Sequence, residues 1–232
     1  MKTLTFGDIS LIDYGCWYDG SNYWNKPEKM VDTFSVPGRN GDLSVDTESY
    51  SNIERSFNCH INDNFPSNYK SLIDALHLKS GYQRFECSED PDVYCMALFS
   101  SEINVSPGQL FKWGTFPLNF NFKPQKWLKL GENPILIVSS ATLVNPTSMT
   151  ALPKIEVVGT GSITIGTSVL TLATNTSTTI IDCEMEDAYE GTINRNGDLT
   201  ITNGFPKLVA GNNSITVSGF TSCKITPRWW RL

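Results

Sequence analysis

Helical periodicity occurs at one place in this chain of 232 residues. Tyr69, Leu72, Ile73 and Leu76 stand at i, i+3, i+4 and i+7, a single apolar stripe. Pro66-Ser67-Asn68 precedes it, with Ser67 or Asn68 as the expected N-cap, and Gly81 follows as the expected C′ residue. Lys79 suits the negative end of the helix dipole. Elsewhere the apolar residues keep a period of two or fall in short runs between turn formers. Phe116, Leu118, Phe120 and Phe122 alternate with Pro117, Asn119 and Asn121, a half-buried strand. A chain with one helix must bury its core with sheets, so the expected fold is mainly β, with that helix lying on a sheet.

The strands fall into two groups. Before residue 131 the sequence predicts strands over Phe6–Tyr14 and Met30–Val36, and one long or two shorter strands over Leu43–Ile61. A hairpin follows over Tyr82–Ser88 and Val93–Glu102, with the turn Glu89-Asp90-Pro91-Asp92. Pro124 lacks a ladder donor, which predicts that the Phe116 strand stops there. Gly131-Glu132-Asn133-Pro134 reads as a junction between domains 1–130 and 131–232. Beyond it Thr, Ser, Gly, Val and Ile dominate, in eight short segments beginning at Ile155, Ser162, Val169, Thr179, Thr192, Leu199, Ser214 and Lys224. Asn196-Gly197 reads as a hairpin turn. This pattern predicts a second domain that is a β-sandwich of jelly-roll or lectin-like type.

Two N-terminal features stand out. Val36-Pro37-Gly38-Arg39-Asn40-Gly41-Asp42-Leu43 places two turn signals around one cation and one carboxylate, a rigid loop with no phosphate cradle or nucleophile. Arg39 is expected to pair with a carboxylate, within its own subunit or across an interface. The segment Gly15–Lys29 carries Trp17, Tyr18, Tyr23 and Trp24 among turn formers. It either packs on its own domain as a compact loop or presents aromatics to a neighbouring subunit.

Candidate chemistry is sparse. The net charge of −6 argues against coating nucleic acid. No apolar run reaches a membrane span, and the opening Met1–Asp8 has no apolar stretch of the secretory kind, so folding in a cytoplasm is expected. The six cysteines show no Cys-x-x-Cys spacing and are expected as buried free thiols. Cys59 and His60 point to opposite faces of a strand, which argues against a zinc site with Cys87 and Cys95. Asp182-Cys183-Glu184-Met185-Glu186-Asp187 is the densest acidic cluster. Its alternatives are a solvated strand end, a calcium or sugar contact through Asp182 and Glu184, or paired catalytic carboxylates. Trp229-Trp230 could stack on a sugar or close the sandwich edge. No nucleophile motif or dinucleotide fingerprint is present, so no enzyme, cofactor or metal is expected.

Taken in order, a set of motifs resembles the distal tail proteins of long-tailed phages and prophages of Gram-positive bacteria. They are Val36–Leu43, Phe120-Asn121-Phe122-Lys123-Pro124-Gln125, Asn145-Pro146-Thr147, Pro153–Gly159 and Ile181-Asp182-Cys183-Glu184, then Phe205-Pro206-Lys207-Leu208, Gly211-Asn212-Asn213 and Ile225–Trp230. The resemblance implies a structural virion protein with two β-rich domains, the second galectin-like or like a carbohydrate-binding module. It implies a hexameric ring at the distal end of the tail, with a belt-like extension embracing the next subunit. The ring would join the tail tube to the tail-associated hub, in some members carry receptor-binding proteins, and pass DNA through its centre. On this reading Trp17, Tyr18, Tyr23, Trp24, Pro37, Gly38, Arg39, Asn40, Gly41 and Asp42 are subunit-interface candidates. The alternative is a non-catalytic sugar-binding module using Asp182, Glu184, Trp229 and Trp230.

Overall fold

The computed structural model describes residues 2–100, 102–107, 112–173 and 177–232. It divides into two compact units, Met1–Lys126 with Leu232, and Trp127–Arg231. The break thus falls four residues before the expected junction at Gly131.

The first unit is a curled antiparallel sheet around an aromatic core. Its strands are β1 (Leu4–Phe6), β2 (Ile9–Ser10), β3 (Cys16–Ser21), β4 (Lys29–Phe34), β5 (Leu43–Tyr50) and β6 (Ile53–Ile61), then the helix α1 (Phe65–His77), then β7 (Gln83–Cys87), β8 (Val93–Phe99), β9 (Ser106–Pro107) and β10 (Gly114–Leu128). The sheet order is β2-β1-β7-β8-β10-β6-β3, with β9 on the start of β10. A bridge between Lys2 and Tyr18 brings β3 back to the β1 end, so the sheet closes on itself like a small barrel. Its inner face is set by alternation: Phe116, Leu118, Phe120 and Phe122 on β10 are buried, as are Phe57, Cys59 and Ile61 on β6. The rings of Phe6, Phe57, Phe85, Phe99, Phe120 and Phe122 lie within 6.4 Å of one another in a connected chain. Helix α1 packs on this core through Phe65, Leu72 and Leu76.

The helix begins at Phe65 with Asn64 at its N-cap, earlier than the Ser67 or Asn68 expected. Pro66 belongs to the first turn, where a missing N–H costs nothing, and the buried Phe65 ring anchors the start. At the other end Leu78 is the C-cap, and Lys79 pairs with Asp8 at 2.6 Å. Gly81, at φ 67, lies beyond the cap. The predicted first strand is two short strands and a 3-10 turn, Leu11–Tyr14. Pro124 does not end β10, which runs on to Leu128. The register with β6 stops at Phe122 opposite Ile53, so Pro124 falls past that ladder, where no β6 acceptor waits for its missing donor. Leu43–Ile61 resolves into two strands with different partners: β6 joins the barrel and β5 pairs only with β4.

The second unit is a sandwich of two antiparallel sheets. Its strands are β11 (Ile135–Leu136), β12 (Ser140–Asn145), β13 (Lys154–Val158), β14 (Gly161–Ile165), β15 (Ser168–Leu172), β16 (Thr178–Asp182), β17 (Asp187–Glu190), β18 (Ile193–Asn194), β19 (Leu199–Thr202), β20 (Gly211–Ser218), β21 (Ser222–Thr226) and β22 (Trp230–Arg231). One sheet runs β11-β21-β13-β16-β17-β18, the other β12-β20-β14-β15-β19. Ile155, Val157, Ile181 and Ile225 from the first meet Ile163, Ile165, Leu170, Leu172 and Ile215 from the second in one core. Asn196-Gly197 is not a hairpin turn. Residues Asn196–Asp198 form a 3-10 turn between β18, which pairs with β17, and β19, which pairs with β15 in the other sheet. A type I′ turn needs positive φ at both central residues, and neither Asn196 nor Gly197 adopts it.

Gly161 sits where β14 passes under the turn after β20. A methyl group there would overlap the Ser218 carbonyl and lie 2.7 Å from the Phe220 amide nitrogen. Both are backbone atoms of a paired strand and its turn, so they cannot rotate away. Gly161→Ala is therefore expected to destabilise the second unit by about 1–3 kcal/mol, read as an earlier urea midpoint.

Candidate functional site

The hairpin of β4 and β5 is left uncovered by the other described residues of the chain. Every residue of β4 is exposed, as is every residue of β5 except the half-buried Tyr50. Its register explains why this is unusual. Cross-strand partners share a face, so Phe34 with Leu43, and Asp32 with Val45, lie on one side, and Val31 with Asp46, and Thr33 with Ser44, on the other. Met30 joins the Phe34 side by alternation. Met30, Phe34, Leu43 and Val45 thus make an apolar stripe, 43–52% exposed, interrupted only by Asp32. A two-stranded hairpin is marginal alone in water. This one also carries a core-like face with no core.

The tip of the arm is the Val36–Leu43 loop. Arg39 N donates to Val36 O at 3.1 Å, closing a turn with Pro37 at its second position and Gly38, at φ 81, at its third. That is a type II turn, for which Pro and then Gly are the preferred residues. Gly41 has φ 80, and a Cβ at either glycine would meet nothing within 4 Å. Arg39 and Asp42 are exposed, and Arg39 has no ion-pair partner among the described residues. The six candidates Pro37, Gly38, Arg39, Asn40, Gly41 and Asp42 therefore stand together at an exposed tip. The apolar stripe behind them escaped the sequence reading, although Phe34, Leu43 and Val45 were visible as strand residues. Only the register shows that they share a face that nothing covers.

Toward the body the arm is kinked. Lys29 faces Tyr50 while Val31 faces Asp46, so β5 carries extra residues at this point. Glu48 takes φ 55, its amide donates to Asp46 Oδ1 at 2.9 Å, and Thr47 Oγ1 donates to Met30 O at 2.7 Å. Lys29 pairs with Asp46 across the kink. Bulges bend a strand and re-aim the residues beyond them.

The four aromatic candidates divide. Tyr18 and Tyr23 are each 1% exposed, packed into the barrel core, and this corrects their assignment to a surface. Tyr18 faces inward from β3 against Phe57, and Tyr23 fits against Cys95 and the side chains of Arg55 and Lys126. Trp17 is half-buried on the outer face, edge-on to His60 at 4.5 Å. Trp24 is 56% exposed. Of the two readings of Gly15–Lys29, packing on its own domain accounts for the tyrosines, and Trp24 at the root of the arm is left outside.

The sugar-contact candidates are occupied within the second unit. Asp182, buried, takes a bidentate ion pair from Arg228 at 2.6 and 2.8 Å and also accepts the Glu184 and Met185 amides. Burial works to raise the Asp182 carboxyl, but the hydrogen bonds and charge of Arg228, with those two amides, outweigh it and hold the carboxyl below its ordinary value. Glu184 lies 3.4 Å from the same guanidinium. Trp229 is 4% exposed, a core residue, which removes it as a stacking platform. Trp230 is half-buried and gives its indole N–H to Thr150 O at 2.9 Å. The cluster therefore closes the end of the sandwich. No group of three or more His, Cys, Asp and Glu side chains able to hold a metal occurs among the described residues. Cys59 is buried and His60 is not, so the pair does diverge.

No protein-family model matches the chain, and no curated protein matches it by sequence. Solved structures do. The Dit protein of phage SPP1, described as a paradigm of the hub adsorption apparatus in phages that infect Gram-positive bacteria, superposes with a TM-score of 0.76 at 14% identity, over 97% of each chain. A chain of the phage P2 baseplate in its activated conformation with calcium gives 0.54 at 9% identity, over 97% of each chain. The strontium form of that baseplate also gives 0.54 at 9%, over 100% of this chain and 98% of that one. The chain shares the fold of these proteins over 97–100% of its length.

Asp182→Ala would leave Arg228 half-buried with only the 3.4 Å contact to Glu184. It is expected to cost about 2 kcal/mol, with Asp182→Asn less damaging, both measured by chemical denaturation of the full chain. Because the folded carboxyl lies below its unfolded value, its contribution is present at neutral pH and is lost as the pH falls through the folded value, below about 4.

Proposed function

We propose that this chain is a structural protein of a phage tail tip, a ring-forming adaptor of the distal tail type, resident in the virion. The observation that carries the proposal is the arm, a hairpin whose apolar stripe has no partner among the described residues of its own chain. The whole-length likeness to tail-hub and baseplate structures supports the setting. Burying four half-exposed side chains of this size is worth roughly 4 kcal/mol per arm. An arm seated on a neighbour whose own arm moves on to a third subunit makes a heterologous contact, and such contacts close into rings when the rotation per subunit fits. A homohexamer follows the resemblance. Its partners would be the tail tube above and the tail-associated hub below, with a receptor-binding protein as a further candidate. A protein with net charge −6 would let DNA pass without holding it. On this reading Arg39 at the tip finds its carboxylate on the neighbouring subunit, and Trp24 lies where the neighbour's surface begins.

Light scattering and electron microscopy of purified protein are expected to show rings of six subunits. Val45→Asp places a charge in the apolar stripe and is expected to abolish rings while shifting the monomer's stability by no more than about 0.5 kcal/mol. A wild-type protein that stays monomeric at high micromolar concentration would overturn the proposal. Rings that survive Val45→Asp would remove the arm from the contact. Arg39→Ala is expected to weaken assembly in the same assay and leave the melting temperature unchanged.

A further inference from the structure

We propose that Arg55 and Lys126 are positioning residues for the arm: its root, Tyr23 to Lys26, is a latch that closes over these two buried cations, and their charge sets how firmly it closes. The inference rests on the arm being the assembly element.

Arg55 on β6 is fully buried, and its Nε and Nη1 have no hydrogen-bond partner. Lys126 on β10 is 2% exposed. The hydrogen bonds that each makes go to root carbonyls, and both are long: Arg55 Nη2 donates to Asn25 O at 3.5 Å, and Lys126 Nζ to Tyr23 O at 3.5 Å. The Tyr23 ring serves both cations, with Arg55 Cζ 5.2 Å and Lys126 Nζ 3.9 Å from its centre. Lys126 also lies 4.7 Å from the Trp24 ring, and Arg55 4.7 Å from the Phe122 ring. The other titratable groups around the pair are Cys95 on β8, Cys87 on β7, Asp90 in the turn between those strands, and Lys26 in the root itself. Just before the latch, Asn22 is tied to Ser56 by two bonds, Asn22 N to Ser56 O at 3.3 Å and Ser56 N to Asn22 Oδ1 at 2.7 Å. Asn22 is the fixed point, and the segment after it covers the two cations.

Packing alone does not call for this arrangement. A buried cation needs its donors satisfied, and unmet donors oppose the closed state. Ring faces and two long bonds return part of that cost. If the root lifts, both cations reach water and recover the rest. The charge of the two cations thus opposes closure, and how firmly the root closes depends on residues that belong to the barrel and not to the arm.

The latch has a pH signature that a passive structural role lacks. Burial, and then the charge of Arg55, push the Lys126 ammonium down to about 8 from its ordinary 10.5. Lifting the root hydrates Lys126 and restores the higher value. The closed form therefore binds fewer protons than the open one, and closure gains as the pH rises through this window. From pH 7 to pH 9 the closed-to-open ratio is expected to rise about tenfold.

Hydrogen exchange of the full chain, read by mass spectrometry at residues 23–26 and corrected for the intrinsic rate, tests this. Wild type is expected to gain about tenfold protection between pH 7 and pH 9. Lys126→Met, which keeps the stem and cannot titrate, is expected to be highly protected at both. Lys126→Arg, which stays charged, is expected to be weakly protected at both. A flat wild-type profile overturns the latch, as does a wild-type slope that persists in whichever variant folds. The readout needs only a single chain, so its failure is distinct from a failure to form rings.

Discussion

The long strand β10 carries the first unit. Its fifteen residues alternate inward and outward from Gly114, and the inward set, Phe116, Leu118, Phe120 and Phe122, meets every other wall of the barrel. Phe120 touches Phe6, Phe57, Phe85 and Phe99, and Phe116 receives Phe65 and Tyr69 from the helix. A one-residue slip against β6 would turn all four side chains to solvent, so the register is fixed by burial on one face. Gly114 shows how tight the fit is. A Cβ there would overlap the Phe65 ring edge, so the helix packs down because that position has no side chain. The barrel thus presents a rigid frame whose own apolar residues are used internally.

The arm differs physically from that frame. Its Phe34, Leu43 and Val45 are the residue types that fill a core, and they alternate as core residues do, yet they remain about half exposed. Charges and kinks are the usual devices that keep such a strand from sticking to others. The arm has both, with Asp32 within the stripe and the Lys29–Asp46 kink at its base. Those devices restrict which surface can receive it without removing the drive to be covered. A hairpin built this way is specific rather than merely adhesive.

The sequence carried the large features because they rest on local chemistry. The Phe116 alternation, the Tyr69–Leu76 stripe, the Pro37-Gly38 turn and the short strands after Ile155 are all written in adjacent residues. The features that were not legible depend on partners far away in the chain. Pro124 looked like a strand end, but whether a proline breaks a ladder depends on whether an acceptor faces it. Asn196-Gly197 has the residues of a hairpin turn, but its flanking strands had already been taken by different sheets. Tyr18 and Trp24 look alike in a list of aromatics six residues apart, and only the inward pleat of β3 separates the core residue from the exposed one. Arg55 shares the inward parity of Phe57, Cys59 and Ile61 on β6, but its residue type gives no sign of burial. No local pattern says that Tyr23 and Phe122 will close over it.

The acidic cluster of the second unit illustrates why residue type alone is a weak guide to a site. Asp182 and Glu184 are suited to calcium, to a sugar or to acid–base work, and all three uses need carboxylates with unspent acceptor capacity. Arg228 removes that capacity. Held at φ 57 with its amide on Gly131 O, it turns its guanidinium onto both carboxylates. The next residue, Trp229, is thereby set into the core, and a methyl at Gly131 would lie 3.2 Å from its Cα and Cβ. The acids, the arginine, the tryptophan and the glycine form one closure at the end of the sandwich. Arg228 engages both Asp182 and Glu184 within the second unit, whereas the stripe on the arm stays uncovered among the described residues.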